Sequence, residues 1–242
     1  ARRLEAVHRG IDRIAEHLRA IHKLPAGDVI TIGSYEPATK ITAYTVYTFD
    51  SITPGLFSKI AGVLAAKGLQ ILSAQIATFK DGVVVDRFEV FDYDYDGEPP
   101  QVRLTGVGTT ISQVLRGERS IDSVFAQSTR IGPRFQAQPS AMEEATQVKI
   151  DNDTSDNATI IEVFTNDRQG LLYVITRTIF QLGLSVSVAK IATSLDQVLD
   201  VIYVTDQSGR KVTDEALLQQ IRNRLVQEIE AFSSPSPAAS AG

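Results

Sequence analysis

A chain of 242 residues, 43% hydrophobic and 22% charged, has room for one large or two modest globular domains. A net charge of −5 gives no electrostatic reason to expect nucleic acid as a partner, and the absence of cysteine excludes disulfides, thiolate metal sites and cysteine nucleophiles. No apolar run approaches the length of a membrane span and no signal-peptide core opens the chain, so no membrane partner is expected and a cytoplasmic location is.

The chain begins at Ala1, already inside a helical pattern, and reads as a segment of something longer. Leu4, Val7, Ile11, Ile14, Leu18 and Ile21 recur at steps of three and four, which predicts an amphipathic helix from about residue 2 to Leu24, stopped by Pro25 and Gly27. The spacing is that of a coiled-coil seam, but the run is short and poor in paired charges, so residues 1–27 are expected to be a linker or docking helix.

Val29 to Ile32 reads as a short strand. Ile41 to Phe49 alternates as a strand and enters a glycine loop, Asp50-Ser51-Ile52-Thr53-Pro54-Gly55-Leu56-Phe57. Leu56, Ile60, Val63 and Leu64 then line one face of a helix that Gly68 ends. Leu69 to Thr78 and Val83 to Tyr93 are strands joined by the turn Lys80-Asp81-Gly82, and Leu104 to Leu115 is a helix weakened by Gly106 and Gly108. The first domain, residues 28–117, thus runs β-α-β-β-α and lacks only a last strand of the ferredoxin-like βαββαβ order.

Residues 118–147 form a linker in which Ile121, Val124 and Phe125 suggest a short helix. The second domain, 148–232, opens with a strand at Val148 to Ile150. Thr159 to Phe164 is a strand and Leu171 to Leu182 a helix, followed by strands from Leu184 to Thr193 and Val198 to Thr205. A last helix from Asp214 to Phe232 carries Leu217, Ile221, Leu225 and Ile229 on one face, with Thr213 or Asp214 as N-cap. Residues 233–242, all Ser, Pro, Ala or Gly, are expected to be a disordered tail.

The two domains are copies. From Gly55 to Thr78 the first aligns without a gap on the second at a constant offset of 115. One deletion beyond that matches Asp86 with Asp200, Val90 with Val204 and Asp92 with Asp206. Both copies therefore predict α+β modules of one kind.

Chemistry concentrates at the glycine loops. In Asn166-Asp167-Arg168-Gln169-Gly170 a strand turns into the first turn of a helix beginning at Leu171. Glycine there lets a ligand approach the main chain, free N–H groups at a helix start favour a carboxylate, and Asp167 could accept from an ammonium. Read alone, the same residues could simply cap a helix. The segment Asp92-Tyr93-Asp94-Tyr95-Asp96-Gly97-Glu98 imitates the start of a calcium loop, but Arg103 stands where the bidentate glutamate belongs. The three histidines, His8, His17 and His22, are spaced by nine and five and do not stack on one helical face, so no metal site is expected. No nucleophile has a paired base, and no phosphate-cradling loop is present.

Around these loops the sequence resembles ACT domains, small ferredoxin-like regulatory modules that pair and bind amino acids at their interface. The second copy carries the likeness in Asn166-Asp167-Arg168-Gln169-Gly170-Leu171-Leu172-Tyr173, Gly183-Leu184, Lys190-Ile191-Ala192-Thr193 and Asp200-Val201-Ile202-Tyr203-Val204-Thr205-Asp206. The first carries it in Pro54-Gly55-Leu56-Phe57-Ser58-Lys59-Ile60-Ala61 and Asp86-Arg87-Phe88-Glu89-Val90. Together they are similar to the C-terminal ACT pair of bacterial PII uridylyltransferase/uridylyl-removing enzymes. Two departures stand out. Gln169 replaces a proline usual in the family, and Ile52 and Thr53 replace the acid and base before Pro54-Gly55, with Asp50 two residues early.

The resemblance implies an amino-acid sensor, with glutamine as signal, whose parent acts on the PII protein. The parent's Mg2+-dependent nucleotidyltransferase and its phosphohydrolase domain are absent from this segment, which needs no cofactor or catalytic residue of its own. Expected ligand contacts are Asn166, Asp167, Arg168, Gly170 and Leu171 in the second copy and Asp50, Thr53, Gly55 and Leu56 in the first. ACT–ACT pairing is expected within the chain or in a homodimer. The alternative is a free-standing ACT-repeat protein, binding amino acids or serving dimerisation, with no link to nucleotidyl transfer.

Overall fold

The computed structural model describes residues 19–25, 27–128, 145–166, 170–194 and 197–233. Residues 19–23 are helical. Residues 1–18 of the expected docking helix, most of the linker and the tail from residue 234 lie outside the described residues. Among the described residues, eight strands and five α-helices follow residue 27: β1 (Ile30–Glu36), β2 (Ile41–Phe49), α1 (Leu56–Ala66), β3 (Leu69–Thr78), β4 (Val83–Asp92), α2 (Gln101–Leu115), α3 (Ile121–Ala126), β5 (Gln147–Asp151), β6 (Thr159–Asn166), α4 (Leu171–Gln181), β7 (Leu184–Ser194), β8 (Gln197–Asp206) and α5 (Glu215–Ser233).

The strands form one antiparallel sheet in the order β1-β2-β4-β3-β7-β8-β6-β5. Each module is ferredoxin-like, yet the edge beside its first central strand is filled from the opposite end of the chain. The strand that a βαββαβ chain adds last is here the leading strand, β1 or β5, giving ββαββα. Chain economy explains the exchange. A short turn lets β1 fold straight back on β2, so no return from α2 to that edge is required.

β1 runs four residues beyond the expected strand because Gly33, which breaks the hydrophobic pattern, is needed where it lies. Its backbone faces the ring of Tyr44, and a Cβ there would sit 3.0 Å from Tyr44 Cε1. Helix α2 begins at Gln101, three residues before the expected start. Pro100 lies at its N-cap, where a missing N–H costs nothing.

The helices pack side by side against the sheet. In β4, Val84, Asp86, Phe88, Val90 and Asp92 are the helix-facing set, and Phe88 stacks on Phe57 of α1 at 5.2 Å. The calcium-loop imitation has a structural explanation. Arg103 donates from Nε to Asp92 at 2.9 Å, pairs with Asp94 at 3.6 Å and donates to the Lys67 carbonyl at 2.7 Å, so a guanidinium occupies that corner.

The modules join edge to edge through β3 and β7, where Ala74 faces Ala189 and Gln75 faces Val188. This pairing occurs within the chain and covers two strand edges that would otherwise be open. Above it, α1 packs against α4. Gly62 makes the close approach: a Cβ there would meet Tyr173 at 2.9 Å and Ile121 at 3.0 Å.

Candidate functional site

The two glycine loops end up at opposite ends of the α1–α4 seam. A Cβ on Gly55 would lie 3.1 Å from the ring of Phe180, near the end of α4. A Cβ on Gly170 would lie 3.4 Å from Phe232 of α5 and 4.0 Å from Ala65, near the end of α1. Gly55 and Gly170 are equivalent in the repeat, as are Ala65 and Phe180, so these contacts are mates under a pseudo-two-fold. Ala74 and Ala189 are equivalent too, and they face each other in the sheet. The axis therefore passes between them.

Both glycines are left-handed, with φ of +68° at Gly55 and +88° at Gly170, and both occupy the N-cap. A glycine contributes no capping side chain. In α1 the first helical bond runs from Lys59 N to Gly55 O at 3.0 Å, and in α4 from Val174 N to Gly170 O at 3.1 Å. The amides of Leu56, Phe57 and Ser58, like those of Leu171, Leu172 and Tyr173, have no acceptor within their own helices. Such amides, with the positive end of the helix dipole, suit an anionic group.

The first loop is longer, as the sequence suggests. Residues 50–55 join β2 to α1, whereas residues 167–170 join β6 to α4. A 3-10 turn over Asp50–Ile52 takes up the extra length. Judged from the strand ends, Phe49 opposite Val83 matches Asn166 opposite Gln197, so Asp50 follows its strand as Asp167 follows the other. The Asp50 amide donates to Gly82 O at 2.9 Å, fixing the loop to the β3–β4 turn. Lys59 donates to Thr53 Oγ1, and Ser58 Oγ donates to Gly55 O at 2.9 Å. Burial lowers the pKa of Lys59.

Thus Asp50, Thr53, Gly55 and Leu56 gather at the start of α1, while Asn166, Gly170 and Leu171 gather at the start of α4. Asp167 and Arg168, the charged pair expected in the second loop, lie outside the described residues. Among the described residues no group of three His, Asp or Glu side chains could hold a metal. His22 is exposed, and His8 and His17 are outside the described set. A groove of about 410 Å³ between β1 and α2, lined by Gly33, Gln101, Leu104 and Arg116, sits at the outer edge strand and not at the glycine loops. No helix among the described residues is long and apolar enough to cross a membrane.

Sequence reading passed over Asp86. It is fully buried on the helix-facing side of β4, between Val46 and Ile76, and neither carboxylate oxygen makes a hydrogen bond. Burial pushes its pKa up to about 7; the Ala77 amide opposes the rise and Asp50 adds to it. Its repeat-equivalent Asp200 is buried in the same place, between Val163 and Ile191. The available signal was an acid at an inward strand position kept in both copies.

Residues 147–232 match the family described as ACR9-like, ACT-like domain. The chain is 38% identical over 197 residues to the bifunctional uridylyltransferase/uridylyl-removing enzyme of Azospirillum brasilense, covering 81% of this chain and 20% of that protein. The enzyme of the same description from Rhodospirillum rubrum is 33% identical over 190 residues, 78% of this chain and 20% of its own. That from Gluconobacter oxydans is 33% identical over 233 residues, 94% and 24%. The chain spans about a fifth of the length of these curated relatives. A solved structure titled putative glycine cleavage system transcriptional repressor aligns over 79% of this chain and 91% of its own at 17% identity, with a TM-score of 0.25, too loose a superposition to bear on the fold. The chain is a tandem pair of ferredoxin-like modules, the second of them an ACT-like domain and the first its copy, similar over most of its length to a part of the bifunctional uridylyltransferase/uridylyl-removing enzymes.

Proposed function

We propose that this chain is the amino-acid-sensing part of a uridylyltransferase that acts on the PII nitrogen-signalling protein, with glutamine from the cytoplasmic pool as the signal. The observation that carries the reading is the pair of helix starts, each entered through a left-handed glycine without a capping side chain and set at one end of an inter-module seam. A carboxylate bound at such a start touches one module while its side chain reaches the other. Ligand then favours one module arrangement over another by its difference in affinity for the two, which is the physical requirement for signalling. Asp167 supplies the ammonium contact in the second loop, and the segment from Leu4 to Ile21 passes the change to catalytic domains of the parent, where the Mg2+ chemistry belongs.

Calorimetric titration of glutamine into the chain tests the reading. Binding is expected, weakened about tenfold by Asp167→Ala, the worth of one charge-assisted hydrogen bond. Absence of heat, both here and in the longer protein that carries the segment, refutes it.

A further inference from the structure

We infer that Asp86 is the carboxylate that receives a ligand's ammonium group at the first glycine loop, which makes that loop a working α-amino-acid site despite its lost acid–base pair. The inference rests on the amino-acid-sensing reading above and assigns the chemistry of its first site.

Its position comes from the sheet register. Phe88, the next helix-facing residue along β4, stacks on Phe57, the second residue of α1. Asp86 lies one pleat nearer the end of the strand where Val84 faces Thr48 and Gly82 accepts from the Asp50 amide. The carboxylate is therefore beneath the glycine loop, on the side of the sheet from which α1 starts. From β2 and β3 it meets Val46 and Ile76, which carry no charge. Of the charged groups at this end, Asp50 in the turn acts on Asp86, Lys59 on α1 has its ammonium engaged with Thr53, and Lys80 and Asp81 lie in the β3–β4 turn, where Asp81 accepts from the Val83 amide.

A fully buried carboxyl group with no hydrogen bond is expensive in either protonation state. Ionised, it lacks a counter-charge; neutral, its O–H lacks an acceptor. Asp50 worsens the first case and leaves the second unanswered. One occupant resolves both costs together with the free amides of α1, namely a group bearing a cation and an anion a few bonds apart. An α-amino acid places its carboxylate on the helix start and its ammonium on Asp86. The first loop lost the Asp-Arg pair that the second retains, and in this arrangement the strand supplies the acid instead.

The test is calorimetry with glutamine at pH 7 in two buffers of different ionisation enthalpy, on the wild-type chain, Asp167→Ala and Asp86→Asn. Asp86 is near half-protonated at this pH, so pairing it with ammonium should release up to about half a proton. Asp86→Asn should abolish the release and remove one of two binding events, while Asp167→Ala should keep the release. Unchanged stoichiometry and proton release in Asp86→Asn overturn the assignment and leave amino-acid sensing standing; no binding by wild type removes both. Circular dichroism checks that Asp86→Asn folds. Should it not fold, glutaramate, which lacks the α-ammonium, replaces the variant: binding to wild type with the same proton release as glutamine overturns the assignment, and loss of the release supports it.

Discussion

Replacing Gly55 with alanine probes the seam on which the sensing argument depends. At φ +68° an L-residue costs ~1–2 kcal/mol relative to glycine, whatever surrounds it. The new Cβ would also stand 3.1 and 3.2 Å from two ring atoms of Phe180 and 3.2 Å from Ser58 Oγ. Phe180 is 41% exposed, so it can swing outward, but it then loses its packing across the modules; this adds ~1 kcal/mol. Gly82 isolates the backbone part. Its φ is +81° and nothing lies within 4 Å of a Cβ there, so Gly82→Ala should cost the ~1–2 kcal/mol alone. Urea unfolding followed by circular dichroism reads both, and the expectation is an excess of ~1 kcal/mol for Gly55→Ala. Phe180→Leu placed in the Gly55→Ala background should recover that excess, since a smaller side chain frees the space. Equal losses at the two glycines, or an excess that survives Phe180→Leu, would show that the loop does not press on the neighbouring module.

Asp86→Asn should change stability with pH: folding raises this carboxyl from 3.8 to about 7, so its contribution is fully present below pH 3.8 and is lost as pH rises through 7. The variant should match wild type near pH 3.5 and exceed it at pH 8 by up to about 4 kcal/mol in urea unfolding, and a pH-independent difference would refute the burial argument. Arg103→Met should cost about 3 kcal/mol, because it strands Asp92 beneath α2; the pair's side chains are 14% and 4% exposed, so bulk solvent cannot replace the lost partner. Asp214→Ala should cost about 1 kcal/mol in thermal or urea unfolding, since Asp214 Oδ1 accepts from Leu217 N at 2.8 Å at the start of α5.

What the sequence made legible was local. The bounds of β2 and β3 follow from alternation between clear turns, and α1 and α4 from a glycine at each end. β1 was underestimated because a glycine that serves as a recess for Tyr44 looks, in one dimension, like a break. The edge position of β1 and β5 escaped because strand order is a property of pairing partners, which a linear pattern does not name. Asp86 escaped for a related reason. Alternation in β4 is blurred by hydrophobic residues on both faces, and only the stack of Phe88 on Phe57 shows which face is inside. The glycine loops were visible as motifs, but not the fact that each abuts the far end of the other module's helix.

That juxtaposition bears on why the copies diverged. With the axis between Ala74 and Ala189, identical loops would make two identical sites sharing one seam. Here the symmetry of the backbone survives while that of the loops does not. The first loop is longer and its Gly55 abuts Phe180, whereas the second is shorter and its Gly170 abuts Phe232 from α5 as well as Ala65. On the proposed reading both sites would act on the same α1–α4 packing, so occupation of one would change what the other must do to bind. Unequal loops would let the two fill at different ligand levels and push on the seam in succession. Glutamine binding should accordingly fit two unequal affinities. Asp86→Asn should remove one and shift the other, Asp167→Ala should weaken the other about tenfold, and two equal, independent sites would contradict this account of the divergence.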